Sequence, residues 1–554
     1  MIRRSWKTYP RCQCIKLLVI GLCVSVWLGV GPVRAQTVHL PLGHWAYDLM
    51  DRFDTRGLFK LVGYDSKPLT RREVTDIIRQ VNANRSRLTD LERDLLDELT
   101  GEFVDELGET NVPEREVESH LVTIGNPLNR LYLDGRVRHR TELIAGPVDQ
   151  ARNETILSLR GRSRFDGVVA FSGDLQYRNV SGVGPVDITV DRPRGLLYSI
   201  DDRNRHHSLI RGSMVFRFRW FRFFFGKGNM HWGPALRTST IVSNQVPPFP
   251  MYKFIANLWG LKYTYFHGFM VNDGLDHIPG HPLDIPQRKY WAGHRLDFQF
   301  GDNVRFAAQE TIVYGERGLE PLYILPVTTY YVADQNLAGD DKRNIAFDAL
   351  YRARPNLKLY TQLHISDWWI TEFARAIKPF KDRSARWIAL AGLRAVDPYG
   401  LDNTDLRIEY TRMEPYVYTQ RRPRNVYQYQ LRHLGTYLQP NSDNIFIELR
   451  HRPRRDWLLS VHSQMTRHSN TWIDNIGDGD IYGVEDLARD KDFLGGEMER
   501  TMSTGLHGRL EFRRRQFIEM RYSATRIRPV DFINQVPGAI FWDHRVLFQV
   551  SLDY

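Results

Sequence analysis

The chain ends on HRVLFQVSLDY, in which Val546, Phe548, Val550, Leu552 and Tyr554 alternate with other residues up to a terminal aromatic. Successive side chains of a strand point to opposite faces, so such a run presents one apolar face and one wet face. Similar runs recur from about residue 130 onward. Ile345, Phe347, Ala349 and Tyr351 alternate before Arg354-Pro355-Asn356, and Leu357, Leu359, Leu363 and Ile365 alternate on the return. Ile445, Ile447 and Leu449 likewise answer Trp457, Leu459 and Val461 across RPRR. Leu506, Leu510 and Phe512 answer Ile518, Met520 and Tyr522 across three arginines. These are hairpins. No segment of this region keeps a helical period.

About 18 strands can be placed in this way, among them 131–144, 221–227, 258–266, 268–275, 304–314 and 541–554. Counting back from Tyr554, the connections at 514, 454, 400, 355, 302, 267 and 219 are short. The intervening ones, 528–540, 467–503, 417–442, 367–384, 315–344, 276–289 and 228–257, are longer. Outer-membrane barrels show this rhythm, with short periplasmic turns, long outer loops and an even strand number. Backbone groups in lipid must all be paired, which demands closure. The expected fold is therefore an all-β transmembrane barrel of about 18 antiparallel strands with a small N-terminal α-helical periplasmic domain. The last strand resembles the sorting signal of such barrels, which implies the outer-membrane lipid bilayer and the barrel-assembly machinery as partners. Cations such as Arg217, Arg219 and Arg222 alternate with phenylalanines, so they face the lumen and make it polar and partly cationic.

The first 35 residues read as a secretory signal peptide. Basic residues precede LLVIGLCVSVWLGVG, and Val33-Arg34-Ala35 offers a cleavage site. All three cysteines (Cys12, Cys14, Cys23) fall there, which leaves no disulfide, thiol nucleophile or thiolate-bound metal beyond it. The segment also holds six basic and no acidic residues, so the remainder carries a formal charge of +5 rather than +11. Nucleic acid is not an expected partner of such an exported chain.

Residues 36–107 form a separate helical domain, and 108–129 a linker. Thr70 with Glu73, and Thr89 with Glu92, sit at capping-box spacing. Leu91, Leu95, Leu96, Leu99 and Phe103 share one helical stripe. His44-Trp45-Ala46-Tyr47 and Pro68-Leu69-Thr70-Arg71-x-Glu73 resemble a single S-layer-homology module. That resemblance implies Trp45, Thr70, Arg71 and Glu73 as wall-binding candidates and peptidoglycan as a partner. A plain periplasmic helical plug is the alternative.

Catalytic signatures are missing from the sequence: there is no G-x-S-x-G, H-E-x-x-H or Walker loop. No enzyme activity, cofactor or metal site is expected. Asp474, Asp478 and Asp480 suggest calcium, but Arg489 stands where an EF-hand requires Glu. Aromatic and planar polar residues cluster in the long connections, including Trp368, Trp369, Arg424, Tyr427 and Trp472. Aromatic faces against sugar C–H surfaces and Arg forks against hydroxyls or carboxylates make these glycan-binding candidates, the alternative being an interfacial aromatic belt.

GKGNMHWGPALRTSTIVSNQVPPFP, residues 226–250, has the glycines and prolines of a chain folding tightly over or into a barrel mouth. It reads as a plug or constriction, with Trp232 and Asn244 as further glycan candidates. Its Gly226-x-Gly228, Trp232-Gly233-Pro234 and Ser243-Asn244-x-x-Pro247-Pro248-Phe249-Pro250 resemble the motif of the capsule-assembly Wzi family. Further pieces follow in order: His294-Arg295-Leu296, Glu310-Thr311-x-Val313-Tyr314-Gly315, Leu359-Tyr360-x-Gln362, Asp405-Leu406-Arg407-x-Glu409-Tyr410 and Glu414-Pro415-Tyr416-x-Tyr418. The resemblance spans about 130–554. It implies an 18-stranded outer-membrane barrel acting as a lectin that holds capsular or extracellular polysaccharide at the cell surface. The alternative function is a channel with a cationic lumen, tethered to the wall by its helical domain. His294, Arg295 and Glu310 are the polar lumen candidates. Strict alternation puts Glu310 on the face of Phe306 and Ile312, so a bulge or a partner must account for it.

Overall fold

The computed structural model describes residues 38–108, 117–126, 128–165, 168–183, 196–200, 204–218, 220–271, 288–337, 339, 341–366, 386–420, 425–430, 432–469, 493–531 and 536–553. The signal segment, Trp368, Trp369, Arg424, Trp472 and the Asp474–Asp480 loop lie outside them.

The strands close into one antiparallel barrel. In chain order they are β1 (Arg130–Ala145), β2 (Gln150–Phe165), β3 (Val169–Val183), β4 (Asn204–Arg217), β5 (Phe221–Gly228) and β6 (Phe249–Leu258). Next come β7 (Leu261–Val271), β8 (Arg288–Phe300), β9 (Val304–Gly315), β10 (Lys342–Arg354), β11 (Leu357–Ser366) and β12 (Trp387–Val396). The circuit finishes with β13 (Thr404–Met413), β14 (Ser442–His451), β15 (Trp457–Ser469), β16 (Met498–Arg513), β17 (Gln516–Arg528) and β18 (Phe541–Asp553). β18 pairs with β1 from His544↔Ala145 to Asp553↔Arg136, which removes the open edge. Below that point Val122–Gly125, expected to be plain linker, continues the pairing along β1. No described helix is long and apolar enough to cross a membrane; the strands do so.

Two strands differ from the sequence reading. The turn expected at 267 lies instead at Trp259-Gly260, both with positive φ (49° and 80°), as tight hairpin turns require. The strands placed at 258–266 and 268–275 are in fact 249–258 and 261–271. Gly268, next to the expected turn, lies within β7 and serves close packing: a Cβ there would lie 2.5 Å from the Phe249 ring. The connection 316–341 also contains two short helices, α5 (Pro321–Ile324) and α6 (Tyr330–Asn336), too brief to show a period.

Alternation works as expected along the wall. Val546, Phe548 and Val550 stand opposite Leu143, Thr141 and His139 on the outer face, and Leu159, Ile447 and Met520 keep that face exposed and apolar. The inner face is polar and charged.

The helical domain comprises α1 (Ala46–Thr55), α2 (Arg71–Ala83), α3 (Asp90–Glu102) and α4 (Val104–Leu107). Both expected capping boxes are present, at Thr70/Glu73 and Thr89/Glu92. Phe53, Tyr64, Ile77, Leu96 and Phe103 sit in its core. The α1 carboxylates point into the barrel. Asp54, fully buried, accepts from Arg305 at 2.8 Å, Lys358 at 2.8 Å and Arg352 at 3.3 Å. Asp48 meets Arg450 at 2.7 Å and Arg407 at 3.3 Å. Arg52 reaches back to Asp405 and Asp397, each at 2.7 Å. Burial by itself would raise the Asp54 carboxyl, but the Arg305 and Lys358 charges hold it well below the usual carboxylate range. Asp51, opposed by burial and favoured by Lys67, Lys358 and Arg394, is lowered to about 2.

Breaking such a buried pair from one side costs about 3–5 kcal/mol, because the remaining charges lose their partner. Asp54→Ala should therefore release the helical domain to protease while the barrel keeps its heat-modifiable migration on gels. Since these carboxyls are lowered, their contribution is fully present above the unfolded carboxylate pKa of about 4 and is lost as pH falls through the folded values. Docking, followed by protease protection, should hold from neutral pH to about 4 and fail only as pH approaches about 2.

Candidate functional site

The segment 229–248 does not lie across the barrel mouth. It descends into the lumen beside a second outer connection, 414–441, and the two pack on each other. Ser243 N donates to Leu434 O at 2.9 Å, the Tyr427 hydroxyl donates to Ile241 O at 2.7 Å, and the Tyr418 hydroxyl donates to Thr240 O. Trp232, Ile241, Val242, Tyr418, Tyr427 and Leu434 form an apolar core with Phe266 and Trp291 of the wall. At its deepest point the plug meets the helical domain. His231-Trp232 pairs as a strand with Ser66-Lys67, and Gly233 N donates to Asp65 O at 2.8 Å. A continuous column of chain thus runs from the outer connections to the periplasmic helices.

Inward-facing polar residues latch this column to the wall. Gln362 accepts from Thr240 N at 2.7 Å, and its amide donates to Trp232 O at 3.2 Å and Asp348 at 2.8 Å. Glu409 accepts from Leu236 N at 2.7 Å and from the Tyr360 hydroxyl at 3.0 Å. Gly233 has φ of 111°, and a Cβ there would lie 2.2 Å from the Gln362 amide nitrogen, so only glycine fits. Gln362 and Glu409 stand in the motif pieces that carry the family resemblance but were not named as site candidates, and Asp348 was not singled out from the sequence. Asp348 between Phe347 and Ala349 carries the available signal, a polar residue on the inward parity that Lys342, Asn344 and Arg352 share.

The candidate residues are dispersed rather than gathered. Trp232 and Tyr427 are buried plug core, whereas Asn244 is exposed and borders the lumen space beside the plug. Arg295 does face the lumen, where it bonds Asp297 and Gln309, each at 2.8 Å, and pairs with Asp348. His294 and Glu310 do not: they lie opposite one another on the outer face, 3.2 Å apart. No bulge interrupts their pairing. A partner accounts for Glu310, which accepts from the backbone N–H groups of Tyr330 and Tyr331 at 3.1 and 2.9 Å and so caps α6. The 316–341 connection folds back over the outer wall, with Tyr323 and Tyr330 packed on Tyr290, Ile312 and Tyr314.

The wall-binding candidates make internal contacts. Trp45 donates to Glu102 at 3.0 Å, and Arg71 to Glu106 at 2.6 Å. Thr70 and Glu73 cap α2, and Glu73 also pairs with Arg222 of the barrel at 2.8 Å. Burial opposes the Glu73 charge, but Arg222 and Lys262 hold its carboxyl well below the ordinary range.

The family model described as "Capsule assembly protein Wzi" matches residues 145–531. Among solved structures, the chain is similar to Escherichia coli Wzi, described as an outer membrane protein involved in group 1 capsule assembly and a carbohydrate-binding β-barrel. That likeness has a TM-score of 0.57 at 12% identity and covers 93% of this chain and 99% of the other. Pseudomonas aeruginosa OccK5 (OpdH) follows with a TM-score of 0.42 at 10% identity, covering 76% of this chain and 98% of the other. No curated protein sequence gave a significant match.

If the column closes the lumen, wild-type protein in planar bilayers should give no large steady conductance. Gly233→Val combined with Gln362→Ala, which displaces the latch, should raise open conductance several-fold. A wild-type conductance equal to that of the double variant would contradict the assignment of the plug.

Proposed function

The chain belongs to the capsule assembly Wzi family, and we propose that it is a non-enzymatic outer-membrane lectin that binds and retains capsular or extracellular polysaccharide at the cell surface. The observation that carries this reading is the column built from both ends of the lumen, together with family membership. A lumen occupied on one side by a column of Trp232, Tyr418 and Tyr427 footed on Ser66-Lys67 is suited to holding a ligand rather than passing one. The E. coli relative of the same fold is a carbohydrate binder by its description, which supports the same class of ligand here.

Binding falls to the cell-surface end of the barrel in this reading, and Trp368, Trp369, Arg424 and Trp472, outside the described residues, remain its sequence candidates. A repetitive polymer engaging many copies gains avidity without a tight single site. The helical domain, residues 36–107, acts in this reading as the periplasmic stopper of the barrel; its contacts at Thr70, Arg71 and Glu73 support docking rather than attachment to peptidoglycan. The exposed strand β18, closing the barrel against β1, is the segment offered to the assembly machinery.

Deleting the gene should leave polymer synthesis intact while polymer moves from the cell fraction into the medium. Measuring cell-bound and shed polysaccharide separately checks this, and an unchanged cell-bound fraction would contradict it.

A further inference from the structure

The plug and α1 fill one side of the lumen. Beside them, against β1–β5 and β16–β18, lies a cavity of about 890 Å³, within the range of small-ligand sites. It extends from Glu118 and Arg515 at the periplasmic end to Glu142 and Arg152, near the outer turn 146–149. The described residues lining it include fifteen Lys or Arg against nine Asp or Glu, a formal excess of six positive charges.

Part of that charge is compensated. Glu154 pairs with Arg140 and Arg178, and Asp553 pairs with Arg136 and, at 3.3 Å, with Arg160. Three lining cations make no hydrogen bond or ion pair among the described residues: Arg138 on β1, Arg211 on β4 and Lys227 on β5. A fourth, Lys253, meets among the described residues only the Phe224 ring, 4.3 Å from its Nζ. The Nε atoms of Arg138 and Arg211 are shielded from solvent and unbonded. The site is nevertheless reached by solvent, since Arg136, Arg140 and Arg160 keep 26, 29 and 27% side-chain exposure. Shielded donors without acceptors are costly, and Arg forks suit carboxylates in particular. Gln176 and Gln549 on the same wall, with Asn244 of the plug, add partners for sugar hydroxyls.

We infer that this cavity is a binding site for a short acidic saccharide segment, whose carboxylates meet Arg138, Arg211 and Lys227. The inference rests on the glycan-binding reading and adds to it a site inside the barrel and a ligand class, uronate-type rather than neutral sugar.

The test is isothermal titration of full-length protein in detergent with an oligogalacturonate of four to six sugars and with a neutral maltooligosaccharide of equal length. Wild type should bind the acidic oligomer and not the neutral one. Arg138→Gln with Arg211→Gln should weaken that binding at least tenfold, while Arg138→Lys with Arg211→Lys should keep most of it. Heat-modifiable migration reports that each variant is folded. Undiminished binding by the folded Gln variant, or equal binding of the neutral oligomer by wild type, overturns the inference. Retention of native polysaccharide on cells, assayed in parallel, separates the two ideas: intact retention without oligogalacturonate binding overturns the cavity site and spares the surface lectin.

Discussion

A closed barrel turns half of every strand inward, and here that half is charged. Six successive strands, β9 to β14, each send a cation into the lumen: Arg305, Arg352, Lys358, Arg394, Arg407 and Arg450. Cations at that spacing, removed from water, repel one another, and the strand carboxylates Asp405 and Glu448, which meet Arg394, Arg407 and Arg450, offset them only in part. The α1 helix supplies the counter-charge, with Asp48, Asp51 and Asp54 distributed over them. The helical domain is thus a counterion as much as a stopper. The rest of the lumen builds on it, because the plug hydrogen-bonds to the Asp65–Lys67 segment that α1 and α2 hold in place.

The same requirement explains the asymmetry of the interior. On the β9–β14 side, strand cations and helix carboxylates neutralise one another and the plug packs against the result. On the β1–β5 side the helix carboxylates act at the periplasmic ends of the strands, where Asp105 meets Arg130 and Glu73 meets Arg222, and further compensation comes from within the strands and the linker, through Glu154, Asp553 and Glu118. That supply falls short of the cations present. The residues of the family motif are concentrated on the compensated side, where Gly233, Gln362, Glu409 and Tyr418 hold the column in place.

The barrel was legible in the sequence wherever one physical rule acted alone. Alternation and the rhythm of short and long connections gave the strand count, and Thr/Glu spacing gave both capping boxes. Errors arose where two rules competed. The turn expected at 267 falls inside β7, where Gly268 allows the close approach of Phe249. Glu310 obeyed alternation, which put it on the outer face, where His294 and the fold-back of 316–341 supply its partners. The glycan candidates show a different limit: an aromatic side chain suits a sugar face or a packed core equally well. Trp232 and Tyr427 took the second role because their connections turn inward, a choice made by tertiary contacts that leave no local pattern.

The central claim is that the column of plug and helical domain is static and that the protein acts by holding glycan, not by opening. Residues 24–554 contain no cysteine, so a single engineered pair can test it. Lys67 and His231 are directly opposite in the short sheet joining the helical domain to the plug, within the reach of a disulfide. With Lys67→Cys and His231→Cys introduced together and oxidised, the fraction of polysaccharide held on cells should equal that of wild type. Failure of the bond to form, or loss of retention on oxidation that reduction restores, would contradict a static column and point to a lumen that must open.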